Sequence, residues 1–248
     1  MDHNRLSGKT LVVTGGASGI GAACARRYAA EGGSVVVADI SDAGPDVAAS
    51  IVAAGGIARY VHTDVSQPAA LENLLKEAVG SFGKVDVWHN NAFTSVFKTI
   101  AEQTLQEFDD TIQVSLRAYW YGSKLAVTHM LANGGGVILH TASVQSYRGE
   151  AGFSAYQCAK GGILSLARSI AVDHAPTIRS VAIAPGFIHT PAHQLIPPET
   201  IERVIAGIPA ARGADPGEVA ALCAFLASDE ASYITGTGIV IDGGYLAS

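Results

Sequence analysis

Short runs of β-branched residues alternate along this chain with longer stretches of helical period. The strand-like runs are KTLVVTG (Lys9–Gly15), SVVVADI (Ser34–Ile40), IARYVHTDV, VDVWHNNA, GGGVILHTAS, IRSVAIAPG and a closing GIVIDGG. Between them lie GAACARRYAAEG, DVAASIVAAGG, PAALENLLKEAVGSFG, a helical region at about Ala101 to Leu131, a helix carrying Tyr156 to Val172, and DPGEVAALCAFLAS. The strand runs are continuously apolar, as in strands covered by helices on both faces. Strand–helix alternation of this length gives right-handed βαβ units and hence a parallel sheet. About seven strands in 248 residues predict one doubly wound, Rossmann-type α/β domain spanning residues 1–248. No Pro/Ser-rich linker or tandem repeat divides it.

Composition narrows the classes of partner. The formal net charge is −6 and no basic run occurs, so there is no electrostatic case for nucleic acid. The three cysteines, Cys24, Cys158 and Cys223, form no CxxC pair. That predicts reduced thiols in a cytoplasmic protein, with neither a disulfide frame nor a metal site. No signal-peptide pattern opens the chain, and no apolar stretch reaches the ~18 residues of a membrane span, so a soluble protein is expected.

The loop TGGASGIG (Thr14–Gly21) sits between the first strand and the first helix. Glycines at Gly15, Gly19 and Gly21 allow a sharp turn and a close approach of backbone N–H groups to a pyrophosphate, at the positive end of the following helix. A plain glycine turn is the bland alternative, made less attractive by the strand–loop–helix placement. Asp39 ends the second strand, 18 residues beyond Gly21. It can accept hydrogen bonds from an adenosine ribose and would repel a 2′-phosphate, which argues for NAD over NADP. Asp64, after the third strand, can meet an adenine amino group, and Asn90 and Asn91 follow the fourth. Each alone could be turn chemistry. All fall beyond the carboxyl ends of strands, where ligands of such sheets bind.

These pieces, with Asp64–Val65, Asn90–Ala92, Ser143, YQCAK, APG ending at Gly186, and the terminal Asp242–Gly244, stand in an order and spacing that resembles the short-chain dehydrogenase/reductase family over essentially the whole chain. The resemblance implies a nicotinamide cofactor and hydride transfer to or from a carbonyl or alcohol carbon. It further implies cofactor contacts at Ser18, Ile20, Val65, Asn91, Ala92, Pro185, Gly186, Ile188 and Thr190, and a homotetramer packed through the long helices and the C-terminal segment.

Such a reaction needs a side chain to move a hydroxyl proton. Tyr156 and Lys160 are four apart, on one helix face, and a cation there is expected to lower the tyrosine pKa. The resemblance adds that Lys160 holds the nicotinamide ribose. Ser143, thirteen residues before Tyr156, can hydrogen-bond the substrate oxygen; its alternative is a turn cap, as for Ser146. Ser115 stands where the family usually has an asparagine that holds a water linking the lysine to solvent. A serine can still donate and accept, so a working but less efficient relay is expected. Phe93 replaces a glycine of the usual NNAG and is expected to narrow the approach to the nicotinamide. Val181 stands where an asparagine is frequent, a change expected to touch packing more than chemistry.

The segment at about 187–210 falls where the family has a mobile lid, with His189, His193, Leu195 and Ile196 as lid candidates. Phe93, Gln145, Tyr147 and Phe153 are further pocket candidates, and Arg148 keeps a charged substrate open. The leading expectation is a small to medium, uncharged secondary alcohol or ketone. The alternative is a cofactor-binding regulatory or scaffold protein without turnover, motivated by Ser115 alone.

Overall fold

The computed structural model describes residues 4–193 and 197–248; Leu195 and Ile196 lie outside them. The elements follow the predicted alternation: β1 (Thr10–Thr14), α1 (Gly19–Ala30), β2 (Ser34–Asp39), α2 (Gly44–Ala53), β3 (Ile57–His62), α3 (Pro68–Phe82), β4 (Val87–Asn90), α4 (Leu105–Ile112), α5 (Ala118–Ala132), β5 (Gly136–Thr141), α6 (Ser154–His174), β6 (Ile178–Pro185), α7 (Pro198–Ala206), α8 (Pro216–Ala227) and β7 (Thr237–Ile241). All seven strands join one parallel sheet in the order β3-β2-β1-β4-β5-β6-β7. Chain order reverses between β1 and β4, which opens a crevice at the carboxyl ends of the central strands.

Both faces of that sheet are covered, which explains the unbroken apolar runs. Leu11, Val13, Val35 and Val37 face α1 and α8, where Cys24, Tyr28, Val219 and Cys223 pack. Val12, Val36, Trp88 and Ile138 face the other way, against Leu71 and Leu74 of α3 and Met130 of α5. Alternate residues thus enter opposite cores, and each must be apolar. Polar exceptions occur, among them His89 of β4, His140 of β5 and Ser180 of β6, all fully buried.

The region expected as one helix at about Ala101 to Leu131 is broken. Thr104 caps α4 through a capping box, its Oγ1 accepting from Glu107 N at 3.2 Å while the Glu107 carboxylate accepts from Thr104 N at 2.9 Å. Between α4 and α5 the helix widens to a π turn over Gln113–Arg117. Ser115 sits inside this turn, fully buried. Such widenings sit often at functional sites.

Candidate active site

The glycine loop is shaped by close packing. Gly15 and Gly19 have φ of +64° and +50°, conformations that L side chains resist. A Cβ on Gly21 would lie 2.0 Å from Gly15 O, and one on Gly15 would lie 2.8 Å from Ala92 Cα. Only glycine lets loop, helix start and β4 end come together. Ser18 is the extended residue before α1 and makes no side-chain cap. The first N–H groups of that helix therefore lack intrahelical acceptors and are available to an anion.

A cavity of about 780 Å³ runs along the strand ends from Asp39 and Ile40, past this loop, to Ser143, Tyr156 and Lys160. Every residue expected at the cofactor lines it except Gly21, which packs against Gly15 O and the Asn91 amide instead. At the outer end, Asp39 Oδ2 accepts from Ala17 N and Oδ1 from Ser41 N, both at 2.9 Å. Asp64 Oδ1 accepts from Ser66 N at 2.9 Å. These bonds fix the carboxylates, and each oxygen keeps a lone pair for a ligand.

Asn91 lines the cavity with its amide already committed. Its Nδ2 donates to Thr14 O (3.0 Å) and Gly15 O (3.1 Å), and its Oδ1 accepts from Thr141 Oγ1 at 3.0 Å. Its side chain thus clamps β1, β4 and β5 together at the cavity wall. Asn90 points into the core, between Trp88, Ser123 and His140.

At the inner end, Ser143 and Tyr156 line the cavity together, and the Ser143 hydroxyl acts to lower the phenol's pKa. Ser143 also accepts from Gln145 N at 3.1 Å, so it serves as the turn cap as well. Ser146 donates to Lys160 O at 2.8 Å and anchors the same helix. Lys160 is 1% exposed. Its Nζ donates to Thr141 O at 2.6 Å and to Tyr119 Oη at 3.4 Å. Three rings surround it, with centroids at 5.2 Å (Tyr119), 5.4 Å (Tyr156) and 5.6 Å (Phe93).

The electrostatics differ from the expectation. Burial pushes the Tyr156 phenol up to about 12, opposed by the Ser143 hydroxyl and reinforced by the charge of Glu150. Burial also lowers Lys160 to about 7. Burial outweighs the lysine in setting the Tyr156 value in this arrangement, since desolvation dominates both groups and Lys160 bonds Thr141 and Tyr119 rather than the phenol oxygen.

Ser115 also takes a different place. Its Oγ donates to Thr94 O at 2.8 Å and accepts from Thr94 N at 3.0 Å. The hydroxyl proton and one lone pair are used there, which leaves one lone pair for the relay expected of this position. Ser115 pins the loop after β4 to the widened turn. Tyr119, four residues on, is what reaches the lysine. Sequence reasoning missed it, because the widened turn at Gln113–Arg117 separates the directions of the two side chains and no spacing signals it.

Of the substrate candidates, Phe93 lines the cavity and meets Tyr156 edge-on, with centroids 6.0 Å apart. Phe153 packs behind Tyr156 (6.1 Å) and against Phe97 (5.2 Å). Gln145, Tyr147 and His189 do not line the cavity. Gln145 Nε2 donates to Glu150 at 2.6 Å. The Tyr147 hydroxyl lies over Gly238 of β7. His189 is exposed and edge-on to Phe187 at 5.4 Å. Arg148 stacks on Tyr245 at 4.7 Å. His193 is described only as the end of the turn Pro191–His193. Thr94, Gln113, Val114 and Thr141 line the cavity and were not anticipated. Cys24, His89 and Cys223 bring possible metal-ligand atoms within 4.8 Å of one another, but in the α1–α8 core, with Tyr28 Oη 3.0 Å from His89 Nδ1.

The family model described as enoyl-(acyl carrier protein) reductase matches residues 15–246. The chain is 38% identical over 246 residues to meso-2,3-butanediol dehydrogenase of Serratia marcescens, covering 98% of this chain and 97% of that one. A crystal structure of a short-chain type dehydrogenase/reductase from Mycobacterium marinum superposes with a TM-score of 0.94 at 32% identity, covering 100% and 99% of the two chains. Another, described as a candidate NAD(P)-dependent gluconate 5-dehydrogenase from Beutenbergia cavernae with bound NADP at low occupancy, superposes with a TM-score of 0.95 at 35% identity, covering 99% and 100%. With the glycine cradle, the strand-end cavity and the Ser–Tyr–Lys set, these matches show that the chain belongs to the short-chain dehydrogenase/reductase family, as a nicotinamide-dependent oxidoreductase acting on CH–OH groups.

Proposed function

We propose that the chain is an NAD-dependent dehydrogenase of small to medium, mostly uncharged secondary alcohols, or of the corresponding ketones. The observation that carries this reading is that Ser143, Tyr156 and Lys160 line one end of a cavity whose other end is lined by Asp39. Bound there, the nicotinamide supplies the hydride acceptor or donor. The residues handle the proton: Ser143 holds the substrate oxygen, Tyr156 takes the hydroxyl proton in oxidation and returns it in reduction, and Lys160 supports the phenolate. Asp39 sets the cofactor preference. Among the described residues lining the cavity, Lys160 is the one basic side chain, and it lies at the inner end, so a 2′-phosphate near Asp39 has no cation to meet.

The apolar Phe93 and Val114 suit an uncharged substrate, and Phe93 narrows the entry beside Tyr156. Ile188 and Thr190 line the cavity at the start of the segment 187–210, which serves as the lid of a single domain. Large apolar side chains are exposed on the long helices, at Leu105, Phe108, Trp120 and Val172, which suits burial in a homotetramer. No helix among the described residues is long and apolar enough to cross a membrane. The three free cysteines suit a reducing, cytoplasmic setting.

A panel of secondary alcohols, including vicinal diols, cyclic alcohols and sugar acids, assayed with NAD and NADP for reduced cofactor, tests the reading. NADH from uncharged members is expected; turnover confined to acids, or to NADP, would overturn it. A light-scattering mass near that of one chain would reject the tetramer.

A further inference from the structure

In its charged form Lys160 has three ammonium protons to place. One goes to Thr141 O at 2.6 Å and one reaches Tyr119 Oη at 3.4 Å. Tyr119 is 1% exposed, its ring is stacked on His140 (6.2 Å, 19°), and its hydroxyl donates in turn to Thr141 O at 3.3 Å. Held on three sides, this hydroxyl has a fixed lone pair aimed at the ammonium. Ser115 does not take the part: its hydroxyl bonds the Thr94 backbone, and the bonds of Lys160 Nζ go to Thr141 and Tyr119.

We infer that Tyr119 is the positioning residue that holds the Lys160 ammonium in register with Tyr156, in place of the side chain at 115. The inference rests on the reading of Tyr156 and Lys160 as the proton-transfer pair. Tyr119 touches no substrate and acts through the lysine: it offers an oxygen to the charged amine and a π face to the same charge. The other titratable groups around Lys160 are few. Tyr156 shares its helix. His89 of β4 and His140 of β5 are both held down to about 3 by burial, so they stay neutral through the working range. Glu150 acts on Tyr156 from the loop before α6. Asp39, Asp64 and Asp110 line the same cavity. No carboxylate or cation bonds Lys160 directly among the described residues.

Tyr119→Phe keeps the ring and its face to the ammonium but deletes the acceptor. Thr141 O retains the Lys160 donor, so no buried group is orphaned. With the acceptor gone the charged form of Lys160 loses a partner and is less populated at a given pH, so it supports the Tyr156 phenolate less. In alcohol oxidation the rising limb of kcat/KM against pH is expected to move up by about one unit, a tenfold loss at a fixed pH on that limb. Cofactor affinity should change by no more than about twofold, since the Lys160 side chain remains. An unmoved limb overturns the inference. Tyr156→Phe, run beside it, separates the two readings. If that variant keeps its turnover, the proton-transfer pair itself is wrong. If it is inactive while Tyr119→Phe leaves the limb in place, only the role of Tyr119 falls. Should Tyr119→Phe fail to fold, the unaltered protein with ¹³Cζ-labelled tyrosine decides: the Tyr119 resonance is expected to shift as Lys160 titrates, and a flat resonance contradicts the contact.

Discussion

Lys160 Nζ donates to the main-chain oxygen of Thr141 at 2.6 Å, tying the middle of α6 to the carboxyl end of β5. The amine is thereby fixed where the cavity ends, at the expense of its hydration. Burial lowers it to about 7 from a usual 10.5. Between those values the unfolded chain binds a proton that the native state does not, so stability rises with pH across this window. Urea midpoints measured from pH 7 to 9 should climb through this contribution. In Lys160→Met the contribution should vanish while turnover drops about 10²-fold or more. A Met variant with the wild-type pH slope would contradict the burial argument.

The cofactor preference depends on one carboxylate. Asp39 is oriented by Ala17 N and Ser41 N, and no basic side chain lines the cavity beside it among the described residues. Affinities for NAD and NADP should differ by at least about tenfold, or about 1.4 kcal/mol. Asp39→Asn keeps the shape and removes the charge, and it should narrow that ratio mainly by improving NADP. Titration of cofactor binding checks this; equal affinities in the wild type would sink the role of Asp39.

Two neutral histidines make the core sensitive to acid. His89 lies between Tyr28 and Thr141, and His140 between Asn90 and Ser180. Both are lowered by burial to about 3 from 6.5. The sign is that of a depressed group: stability present above about pH 6.5 is lost as pH falls toward 3, because the unfolded chain takes up the protons first. Thermal midpoints should fall steadily below pH 6.5. Replacing His140 by Asn should flatten part of that slope, and an unchanged slope would count against its neutral burial.

Ser115 makes a contrasting case. Both its hydrogen bonds end on the Thr94 backbone. Ser115→Ala orphans that N–H and C=O and should cost about 1–3 kcal/mol of stability. It should raise KM, through the displaced Phe93–Thr94 loop, without moving the pH limb of kcat. Ser115→Asn should leave kcat unaltered at every pH. A pH-dependent gain in that variant would support a relay role for residue 115.

Much of this was legible from residues alone, for a physical reason. Doubly covered strands must be apolar at most positions, so β1, β2, β5 and β6 announce themselves, and ligands of such sheets must lie where Gly15, Asp39, Asp64 and Asn91 are. The i, i+4 spacing likewise placed Tyr156 and Lys160 together. The rest depended on what no spacing shows. The direction of the Tyr156 shift follows from burial, which a residue pair does not reveal. The widening at Gln113–Arg117 turned Ser115 to Thr94 and left Tyr119 facing the lysine. Tyr147 and Arg148 lie close to Ser143 in sequence, yet their side chains pack on Gly238 and Tyr245, away from the cavity.

The central claim is that Tyr156 carries the proton that accompanies hydride transfer. Tyr156→Phe removes one oxygen from a side chain already held by Phe93 and Phe153. The direct measurement is kcat for alcohol oxidation in the wild type and this variant, with the cofactor Kd determined for both. The account predicts a Kd within about threefold and a kcat lower by about 10²–10⁴. A Tyr156→Phe variant that binds cofactor and turns over within tenfold of the wild type would contradict it.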